Sequence, residues 1–571
     1  MTHTITPWGR LPLALLALGL STSLALADWS SPSTGQSYTP DEIVALSAGT
    51  LSGSWPVYTQ TGDLTISSTD TLSIAGGCQW QVSPTGGPWE LRVHGMLLCE
   101  GSVLAPVQFL STGGQAGDWS GLVLDEADSS SRLSFTTIRH ADRGLSVLGC
   151  APEFAFGTLA QCYSTGLHCF LGGNPVIRHT LIEQNFRYGA EITGGSSPVL
   201  QHCVFRQNNL EATSPRNAVS VGLQGSNNPR LEYCLLEGSG PTNAASGFSH
   251  WLAGDSRLSD CEIRDFRSGV VIQGSGAQGL LERCWIHDNR YSNPLQGGSG
   301  INVNSAATPA FRACVIQNND WGVTLTSACT PDFGTGANLG ANALHGNGNG
   351  GTVWDFFNNT SSAVQAVGNW WGTVDPATVE QHINDNNDGA YGEVSFLPLR
   401  EDSLLVPLVS PGLGWALAPA SGALMLHPAS HFRMGSTLDI TLSGDGDWTW
   451  QGDSLAWSPL PASPNPALLV LEARDASAQS ALDSLWIFHI PQLIGDTPEL
   501  TISRSGNDLL LGWHTIPGAT SYRVYTVNPG SGWSETFLQE TSETELLLVD
   551  ALLAGNGAWR VRAVFPDESD D

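Results

Sequence analysis

One short pattern returns seven times between residues 131 and 319, and it constrains the fold more than any other feature of the chain. At its centre lies a small residue, with an apolar residue three places before it and another two places after it. The central residues are Thr136, Thr180, Cys203, Cys234, Cys261, Cys284 and Cys314. They follow one another at intervals of 44, 23, 31, 27, 23 and 30 residues. Such self-similarity is typical of solenoids, in which each repeat packs against its neighbours.

The repeats have the periodicity of strands. Apolar or small residues alternate with polar ones, which is the period of two that a strand requires. A second short strand, opened by glycine, follows in most repeats, at 144–147, 189–192, 269–272, 300–303 and 322–325. Gly, Ser, Asn and Pro fill the segments between strands and indicate turns. Coils of this length with short strands predict an all-β chain built on a parallel β-helix.

Two residue types recur inside the repeats. Five consecutive central positions are cysteines, which would stack in one interior column as either a metal or redox row or as small apolar packing. No CxxC or paired-His spacing accompanies them, so the sequence favours packing by reduced, buried thiols. Asn185, Asn208, Asn289 and Asn319 recur five residues after the column. Since asparagine tolerates the left-handed conformation and bonds its own backbone, we predict a structural turn there.

The repeat Pro-x-Leu/Ile-x-x-Cys-x-Ile/Phe-x-x-Asn resembles that of secreted bacterial right-handed parallel β-helix proteins of the pectate-lyase-like superfamily. Segments 49–55, 62–66, 91–95 and 117–121 resemble the entry of such a helix, and segments 368–373 and 394–398 resemble its exit. The resemblance covers about residues 41 to 400. It implies a right-handed β-helix, whereas lyases, hydrolases, adhesins and inert scaffolds all use this fold.

The first 27 residues have the composition of a signal peptide. Arg10 precedes the apolar run Leu11–Leu26, and the triplet Ala25-Leu26-Ala27 is an A-x-A cleavage site. We therefore expect a mature chain beginning near Asp28 that is secreted to the extracellular space or cell surface, with the periplasm left open. No later stretch is apolar and long enough to predict a membrane span.

Charge excludes several functions. The chain has 23 basic and 53 acidic residues, a formal net charge of −30, and it contains no lysine. The missing lysine excludes a P-loop lysine and Schiff-base chemistry. The negative charge argues against nucleic acid, whose phosphates require a basic surface. It also disfavours polyanionic glycans unless a divalent cation bridges them.

All 11 cysteines lie between Cys78 and Cys329. Cys150, Cys162 and Cys169 fall in segment 148–174, which the repeat alignment leaves as a long insertion, and in an oxidising compartment we expect two of the three to pair. Cys78 and Cys99 are 21 residues apart, about one coil, and are a second candidate pair. Connectivity, including that of Cys329, cannot be derived from spacing.

The character of the chain changes near residue 401. The domain assignment is a signal peptide at 1–27, a β-helix with an N-terminal cap at 28–400, an Ig-like β-sandwich at 401–495 and a fibronectin type III-like β-sandwich at 496–571. The last domain ends in an acidic tail and would have Trp513 in its core. We expect a monomer.

Two groups of residues are candidates for chemistry. Arg264, Asp265, His287 and Asp288 come from adjacent coils at the end of an alternating Arg/Glu row and are candidate catalytic residues; the alternative is a solvated charge ladder. Asp385, Asn387 and Asp388 resemble the start of a calcium loop, although Ser395 stands where the closing Glu would be; the alternative is a polar turn. No other cofactor is expected.

Two functions remain open. The first is an exported, non-catalytic protein that binds glycan or another surface through its β-helix, supported by the appended modules and by the absence of the superfamily's active motifs. The second is a carbohydrate-active enzyme, a polysaccharide lyase or glycoside hydrolase, acting on the outer face of the helix, which the resemblance alone implies. A cell-surface component or a polysaccharide is the expected partner in both cases.

Overall fold

The computed structural model describes residues 28–350, 352–401, 408–418, 423–433, 438–460, 465–475, 479–489, 500–505, 508–513, 521–528, 534–548 and 558–564. The signal-peptide prediction at 1–27 lies outside these residues. Across the described residues the chain is almost entirely β-structure, with α-helices only at Pro40–Leu46 and Pro376–Glu380 and 3-10 turns at Pro294–Gln296 and Pro428–His431.

Three long sheets form the solenoid, and nearly all of their neighbouring strands are parallel. Sheet 1 contains, in order, Trp29–Ser30, Leu64–Ile66, Glu90–Val93, Gly121–Asp125, Arg143–Leu148, Thr165–Phe170, Tyr188–Ile192, Val219–Val221, Ser246–Trp251, Ser268–Gln273, Ser299–Asn304, Trp321–Leu325, Phe356–Asn358 and Ile383–Asn384. Sheet 2 contains Leu51–Ser54, Val57–Gln60, Gln79–Val82, Val107–Ser111, Thr136–Arg139, Thr158–Ala160, Leu181–Glu183, Val204–Arg206, Leu235–Glu237, Glu262–Arg264, Trp285–His287, Val315–Gln317 and Ala343–Leu344. Sheet 3 contains Ser37–Tyr38, Thr71–Ala75, Met96–Glu100, Arg132–Ser134, Glu153–Ala155, Val176–Arg178, Val199–Gln201, Arg230–Glu232, Gly254–Ser259, Ala277–Glu282 and Ala310–Arg312. The predicted parallel coil is therefore confirmed.

In the middle of the solenoid each coil contributes one strand to each sheet, and alternation along the strand decides which side chains fill the interior. In sheet 1, Leu145, Leu167, Ala190 and Val219 are register partners and are fully buried. A fully buried leucine or valine side chain contributes about 1.5–3 kcal/mol relative to an exposed one. The core is thus a set of apolar ladders, repeated coil by coil.

Segment 148–174 is a complete coil, so its interpretation as an insertion was wrong. It supplies strands Glu153–Ala155, Thr158–Ala160 and Thr165–Phe170 to the three sheets. The repeat pattern does not detect this coil because its central residue is Gly157. In the neighbouring coils the central residues are Thr136 and Thr180. A Cβ at Gly157 would lie 2.3 Å from Cε1 of Phe154, whose large ring fills the slot instead.

All eleven cysteines are free and buried, so the pairing expected within Cys150, Cys162 and Cys169 is not formed, nor is the candidate pair Cys78–Cys99. The physical reason is position around the coil. Cys169 lies in a sheet 1 strand, Cys162 lies at the corner after sheet 2, and Cys150 lies at the corner after sheet 1. Cys99 lies in sheet 3, whereas Cys78 precedes a strand of sheet 2.

The Thr and Cys residues of the central column make the same hydrogen bond. The Thr180 hydroxyl donates to the carbonyl of Arg178 at 2.8 Å, two residues earlier. The Cys261 thiol donates to the carbonyl of Ser259 in the same way, at 3.3 Å. Every column cysteine repeats this bond. The threonines and cysteines of the column thus share one hydrogen bond, although Val107 and Gly157 occupy the same register without a side-chain donor. Packing by free thiols is confirmed.

The recurring asparagines are a buried hydrogen-bonded ladder. Asn289 donates to Asn319, and Asn319 donates to Asn347, each at 2.9 Å. The left-handed residues of these turns are not the asparagines themselves but the residues before them, such as Gln184, Asp288 and Asn318. The asparagine amides instead satisfy carbonyls at the inner side of the corner, which agrees with the structural role predicted for them.

An aromatic ladder lies at the corner between sheets 3 and 2. Phe135, Phe156, His179, His202 and Tyr233 occupy successive coils in the left-handed conformation, with stacked rings 4.7–5.1 Å apart. Because this conformation is costly for large side chains, the stacking and the cover above it must offset the strain.

Residues 408–489 provide that cover. Phe488 meets Phe135 and Phe156 edge-on at 4.9 and 5.0 Å, and Nδ1 of His179 donates to the carbonyl of Leu413 at 2.7 Å. His179 and His202 are 5% and 7% exposed, and burial lowers the pKa of His179 to about 4 and also lowers that of His202.

The strands after residue 408 form smaller sheets. One consists of Trp415–Ala418, Ser480–His489, Ala467–Arg474 and Asp439–Gly444, another of Leu424–Leu426, Ser454–Ser458 and Asp447–Gln451, and a short pair of Leu408–Val409 and Phe432–Arg433. Two more consist of Leu500–Ser505, Asp508–Trp513 and Glu545–Leu548, and of Ser534–Thr541, Ser521–Asn528 and Ala558–Val564. Trp513 is 6% exposed and contacts Tyr522 at 5.6 Å between ring centres.

The solenoid ends in two short strand pairs, Gly348–Asn349 with Thr352–Val353 and Val364–Gln365 with Val394–Ser395. Helix Pro40–Leu46 covers its beginning, where a Thr39–Glu42 capping box fixes the first turn and Ile43 is fully buried. Among the described residues no helix has the length and apolar character needed to cross a bilayer.

Candidate functional site

The outer face of sheet 1 carries one continuous column of outward residues, of which all but Val271 and Phe357 are polar. Between two buried ladders, the outward positions are Ser146, His168, Glu191, Ser220, Ser249, Val271, Asn302, Thr324 and Phe357. Several of these side chains are nevertheless largely buried, because loops at the sheet edges rise beside them. The column is therefore the floor of a groove, which we call the sheet 1 groove, and two cavities lie along it.

The first cavity, of about 530 Å³, lies over the later coils. Its floor includes Ser249, Asn302 and Thr324, and its sides include Trp251 and Trp321. The lining polar groups are almost all neutral amides and hydroxyls, since Arg267 is the one charged side chain among the lining residues described. Arg267 is itself engaged, with both Nε and Nη2 donating to the carbonyl of Gln296.

Hydrogen bonds hold the aromatic and amide groups of this cavity in place. The Trp251 indole donates to Ser249 at 2.5 Å, and the Trp321 indole donates to the carbonyl of Pro294 at 2.8 Å. Asn302 donates to Thr324 at 2.8 Å and accepts from Asn304 at the same distance. Trp251 remains 38% exposed. A preorganised wall of flat apolar rings and paired amides is thus presented to solvent.

The second cavity, of about 590 Å³, lies over earlier coils of the same sheet. Its lining includes Arg92, Asp142, Arg143, His168 and Glu191. Arg92 is paired with Glu90 at 2.6 Å and Asp125 at 2.5 Å, and Asp142 accepts from Ser164 at 2.6 Å. No hydrogen bond or ion pair from any described residue reaches the side chains of Arg143, His168 or Glu191, so these three groups are uncommitted.

Burial shifts the pKa values of Glu191 and His168 in opposite directions. Desolvation raises the pKa of the Glu191 carboxyl, although Arg143 and Arg216 act in the opposite direction. Desolvation, together with a smaller effect of the nearby Arg143, lowers the pKa of His168 to about 4. At neutral pH the imidazole is uncharged, and it lies beside a carboxyl group whose pKa burial has moved upward. Such opposed shifts are typical of acid and base pairs.

The predicted catalytic residues lie on sheet 2, away from this groove. The structure brings Arg264, Asp265, His287 and Asp288 together: Arg264 bonds Asp265 at 2.8 Å, and Nδ1 of His287 contacts Asp288 at 2.7 Å. Arg264 also pairs with Glu237 at 2.7 Å, and His287 is 5% exposed beneath the stacked ring of Trp285. Asp265 and Asp288 occupy left-handed corners. The network is internally paired, and its catalytic role stays a prediction.

The predicted calcium residues form a turn closed by its own hydrogen bonds. Asp385, 1% exposed, accepts from the backbone of Asn387 at 2.9 Å and of Val394 at 3.0 Å. Asp388 accepts from the Asp385 amide at 3.1 Å, and the Asn387 side chain donates to Glu380. Among the described residues no group of three or more His, Cys, Asp or Glu is arranged to hold a metal ion. Calcium binding here stays a prediction.

The sequence analysis missed the sheet 1 groove, although a signal was present. Ser146, Glu191, Asn302 and Thr324 each follow the opening glycine of a second strand by two residues, which fixes their outward direction. His168 has the same position after Gly166, in the coil that the repeat alignment overlooked. The column became visible only when this coil placed His168 between Ser146 and Glu191.

Comparison with known proteins bears on the fold. A family model described as right-handed beta helix region matches residues 115–242 and 215–370, which together are less than half of the 571 residues. No curated protein sequence matches the chain.

Two solved structures have a distant likeness. One is the tailspike protein gp49 from Acinetobacter baumannii bacteriophage Fri1, a capsular polysaccharide depolymerase, with a TM-score of 0.30 and 10% identity over 95% of this chain and 86% of that one. The other is the gp42 tailspike of Acinetobacter phage vb_AbaP_AS12, with a TM-score of 0.28 and 8% identity over 80% and 82%. Likeness at this level says nothing about activity. The coil geometry and the family match together establish a right-handed parallel β-helix protein.

Proposed function

We propose that the sheet 1 groove binds a polysaccharide chain along its length. The observation that carries the proposal is the first cavity, where Trp251 and Trp321 stand beside a floor of amides and hydroxyls. Sugar rings offer apolar C–H faces, which stack on aromatic rings, and edges of hydroxyl groups, which pair with amides. The cavity combines these two elements, and its one charged lining residue, Arg267, already bonds the carbonyl of Gln296. Such a site suits sugars better than it suits peptides or nucleic acids.

The shape of the groove suits a linear polymer. Its floor crosses successive parallel strands at about 4.8 Å each, so the five strands from Ser249 to Phe357 span roughly 20 Å. A chain lying along the column would meet polar groups at Ser249, Asn302 and Thr324 and apolar ones at Val271 and Phe357. Exposed apolar side chains stand along its edges, among them Leu223 at 70%, Leu252 at 47% and Leu295 at 87% exposure.

Direct binding tests this proposal. Purified protein is run through native gels containing single polysaccharides, both neutral and acidic, and dissociation constants are taken from retardation. Because each aromatic contact is worth about 0.5–1.5 kcal/mol, Trp251→Ala and Trp321→Ala should each weaken binding roughly threefold to tenfold. Trp450→Ala is the matched control, since Trp450 is 50% exposed outside the groove. Lack of any retardation, or equal retardation of groove variants and wild type, would refute the proposal.

The proposal includes export and an accessory role for the C-terminal modules. The A-x-A site before Asp28 supports secretion to the cell surface or beyond. The alternating strands after residue 408 support an Ig-like module at 401–495 and a fibronectin type III-like module at 496–571, which would space or anchor the β-helix. N-terminal sequencing of protein recovered from a bacterial host should give a start near Asp28. Recovery of Met1 on a membrane-bound product would contradict export.

A further inference from the structure

We propose that Asp355 and His382 form a proton-dependent latch that holds the end coil, residues 355–395, and with it the end wall of the first cavity. The two residues lie beside each other in sheet 1, since Asp355 directly precedes strand Phe356–Asn358 and His382 directly precedes strand Ile383–Asn384. The amide of Asp355 donates to the carbonyl of His382 at 3.0 Å. Only the effect on ligand binding rests on the proposed function, because the latch itself is a property of the fold.

Asp355 occupies the last position of the buried asparagine ladder. The side chain of Asn319 donates to that of Asn347 at 2.9 Å, and Asn347 donates to Oδ1 of Asp355 at the same distance. The backbone amide of Asn347 also donates to this oxygen, at 3.0 Å. A side-chain amide accepts the same two bonds one step earlier, where Oδ1 of Asn347 receives both from Asn319. The ladder therefore uses only one oxygen of Asp355 and leaves the second for another group.

The second oxygen faces His382. Oδ2 of Asp355 and Nδ1 of His382 lie 3.2 Å apart. Both atoms are shielded from solvent, and neither has a hydrogen-bond partner among the described residues, so their contact is electrostatic. Asp355 is fully buried, whereas the side chain of His382 is 26% exposed and can exchange its proton with solvent. Because a buried carboxylate is costly without a compensating charge, the imidazolium form of His382 stabilises Asp355 at this position.

Among the described residues, His382 is the one basic side chain that forms an ion pair with Asp355. The carboxylate raises the pKa of His382 above its ordinary value of 6.5, against the effect of burial. Burial lowers the pKa of His345, a second imidazole close enough for Asp355 to act on it in the opposite direction. The acidic groups of the neighbouring elements have partners of their own: Asp320 accepts from the Tyr291 amide, Asp375 caps helix Pro376–Glu380, Glu380 accepts from Asn387, and Asp385 accepts from the Val394 amide.

The end coil also forms one end of the first cavity. Phe357 and Asn359, which follow Asp355 along the chain, are among the residues that line this cavity. Phe357 packs edge-on against Trp321 with 5.0 Å between ring centres, and Trp354 stacks on Trp321 at 5.9 Å. Trp321 is one of the two rings proposed to stack on a sugar. A displacement of the segment at Asp355 therefore displaces an aromatic wall of the cavity as well.

The protonation state of His382 controls the latch. A base whose pKa is raised on folding contributes its full stability below the unfolded value, near 6.5, and loses that contribution as pH rises through the folded value. Once the imidazole is neutral, the buried carboxylate of Asp355 has no compensating charge. The end coil should then open locally while the solenoid stays folded, since a terminal coil packs against a neighbour on one side only. Affinity for a glycan in the first cavity should fall with it.

Hydrogen exchange followed by mass spectrometry tests the latch on the full chain without ligand. Protection of peptides from 355–395, corrected for the intrinsic exchange rate, is compared at about pH 6 and about pH 9 with that of peptides from 258–286. Wild type should lose at least about threefold of its protection in the end coil at the higher pH, and none at 258–286. His382→Gln should show low protection at both pH values. Asp355→Asn extends the asparagine ladder without a charge, so its protection should not depend on pH, and adding it to His382→Gln should restore what that variant loses.

His94→Gln is the matched control, because His94 lies 3.8 Å from Asp125 near the other end of sheet 1 but has a side chain that is 37% exposed; it should exchange like wild type. If Asp355→Asn keeps the pH dependence of wild type, or if His382→Gln keeps full protection at about pH 6, there is no latch.

Retardation in native gels at the same two pH values tests the effect on the cavity. Wild type should bind polysaccharide more weakly at the higher pH, and Asp355→Asn should bind equally at both. Equal binding by wild type at both pH values would overturn the link between the latch and the cavity. Absence of any retardation would overturn the proposed function, whereas the exchange measurement would still decide the latch by itself.

Discussion

The ring of Phe154 lies where a side chain at Gly157 would have to go, with Cε1 only 2.3 Å from the position of the missing Cβ. In neighbouring coils the same pair of positions holds a smaller apolar residue and a threonine, as Ile177 and Thr180 do. In this coil the larger side chain at position 154 compensates for the missing side chain at position 157, so the interior stays filled. Close packing of this kind tolerates such an exchange only when both residues change together.

Gly157→Thr should therefore destabilise the protein. The added side chain must displace the Phe154 ring and also approaches the Thr136 carbonyl, 2.5 Å from the Cβ position. Overpacking of this kind typically costs about 1–3 kcal/mol. Urea unfolding followed by circular dichroism measures the loss.

The double variant Phe154→Ile with Gly157→Thr is the companion test, since it restores the pair found at Ile177 and Thr180. It should recover part of the lost stability, but not all, because the contact with the Thr136 carbonyl remains. The free energy of unfolding lost in the double variant should be smaller than the sum of the losses in the two single variants. If it equals that sum, the side chains at positions 154 and 157 do not compensate for each other in volume.

The same coil shows what the sequence could and could not give. Period-two strands, glycine-opened second strands and the Thr/Cys column predicted the solenoid, because these features repeat and depend on local chemistry. One coil was not recognised because it has Gly157 at the central position instead of Thr or Cys. The sequence does not show that the ring of Phe154 fills the space of the missing side chain. The site depends on that hidden coil, which holds His168. The sequence analysis followed Arg264 and His287, which are adjacent in the pattern, whereas burial and lack of partners at His168 and Glu191 are visible only in three dimensions.

Docking of residues 408–489 on the aromatic ladder should weaken in acid. His179 is buried and neutral, and its pKa is lowered to about 4 from an ordinary value of 6.5. A base with a lowered folded-state pKa stabilises the fold fully above pH 6.5 and loses that contribution as pH falls towards 4. The loss at His179 is on the order of 3 kcal/mol. Asp483 opposes it by favouring the charged form, and Arg178 adds to it.

Thermal unfolding between pH 7 and pH 4 measures this dependence, and limited proteolysis at each pH reports on docking. His179→Phe cannot be protonated and continues the stack begun by Phe135 and Phe156. It should flatten the fall in stability between pH 6.5 and pH 4, at the cost of the bond to Leu413. An unchanged pH slope in this variant would contradict the assignment.

The turn at Asp385 should behave as a hydrogen-bonded corner. Asp385→Ala removes acceptors for the Asn387 and Val394 amides in a buried position, and we expect a loss of about 1–3 kcal/mol with or without calcium. Calcium itself should shift the melting temperature little. A ligand of the native state stabilises by mass action, so a rise of several degrees that disappears in Asp388→Ala would instead establish a calcium site.

Position 261 tests how much the shared hydrogen bond contributes in the central column, where Val107 occupies the same register without a donor. Cys261→Thr should be nearly neutral, because Thr180 shows that a hydroxyl in this slot makes the same bond to the carbonyl two residues earlier. Cys261→Val keeps the volume but loses the donor, and should cost under about 1.5 kcal/mol. Cys261→Arg buries an unpaired charge and should prevent folding of the coil. Urea unfolding ranks the first two against wild type, and solubility reports the third.

In native wild type the column thiols should resist alkylation and react only after denaturation, and mass spectrometry without reductant should find no bridge among them. Rapid alkylation of the native protein, or a valine variant more stable than the threonine one, would show that neither burial nor the hydrogen bond explains the choice of cysteine.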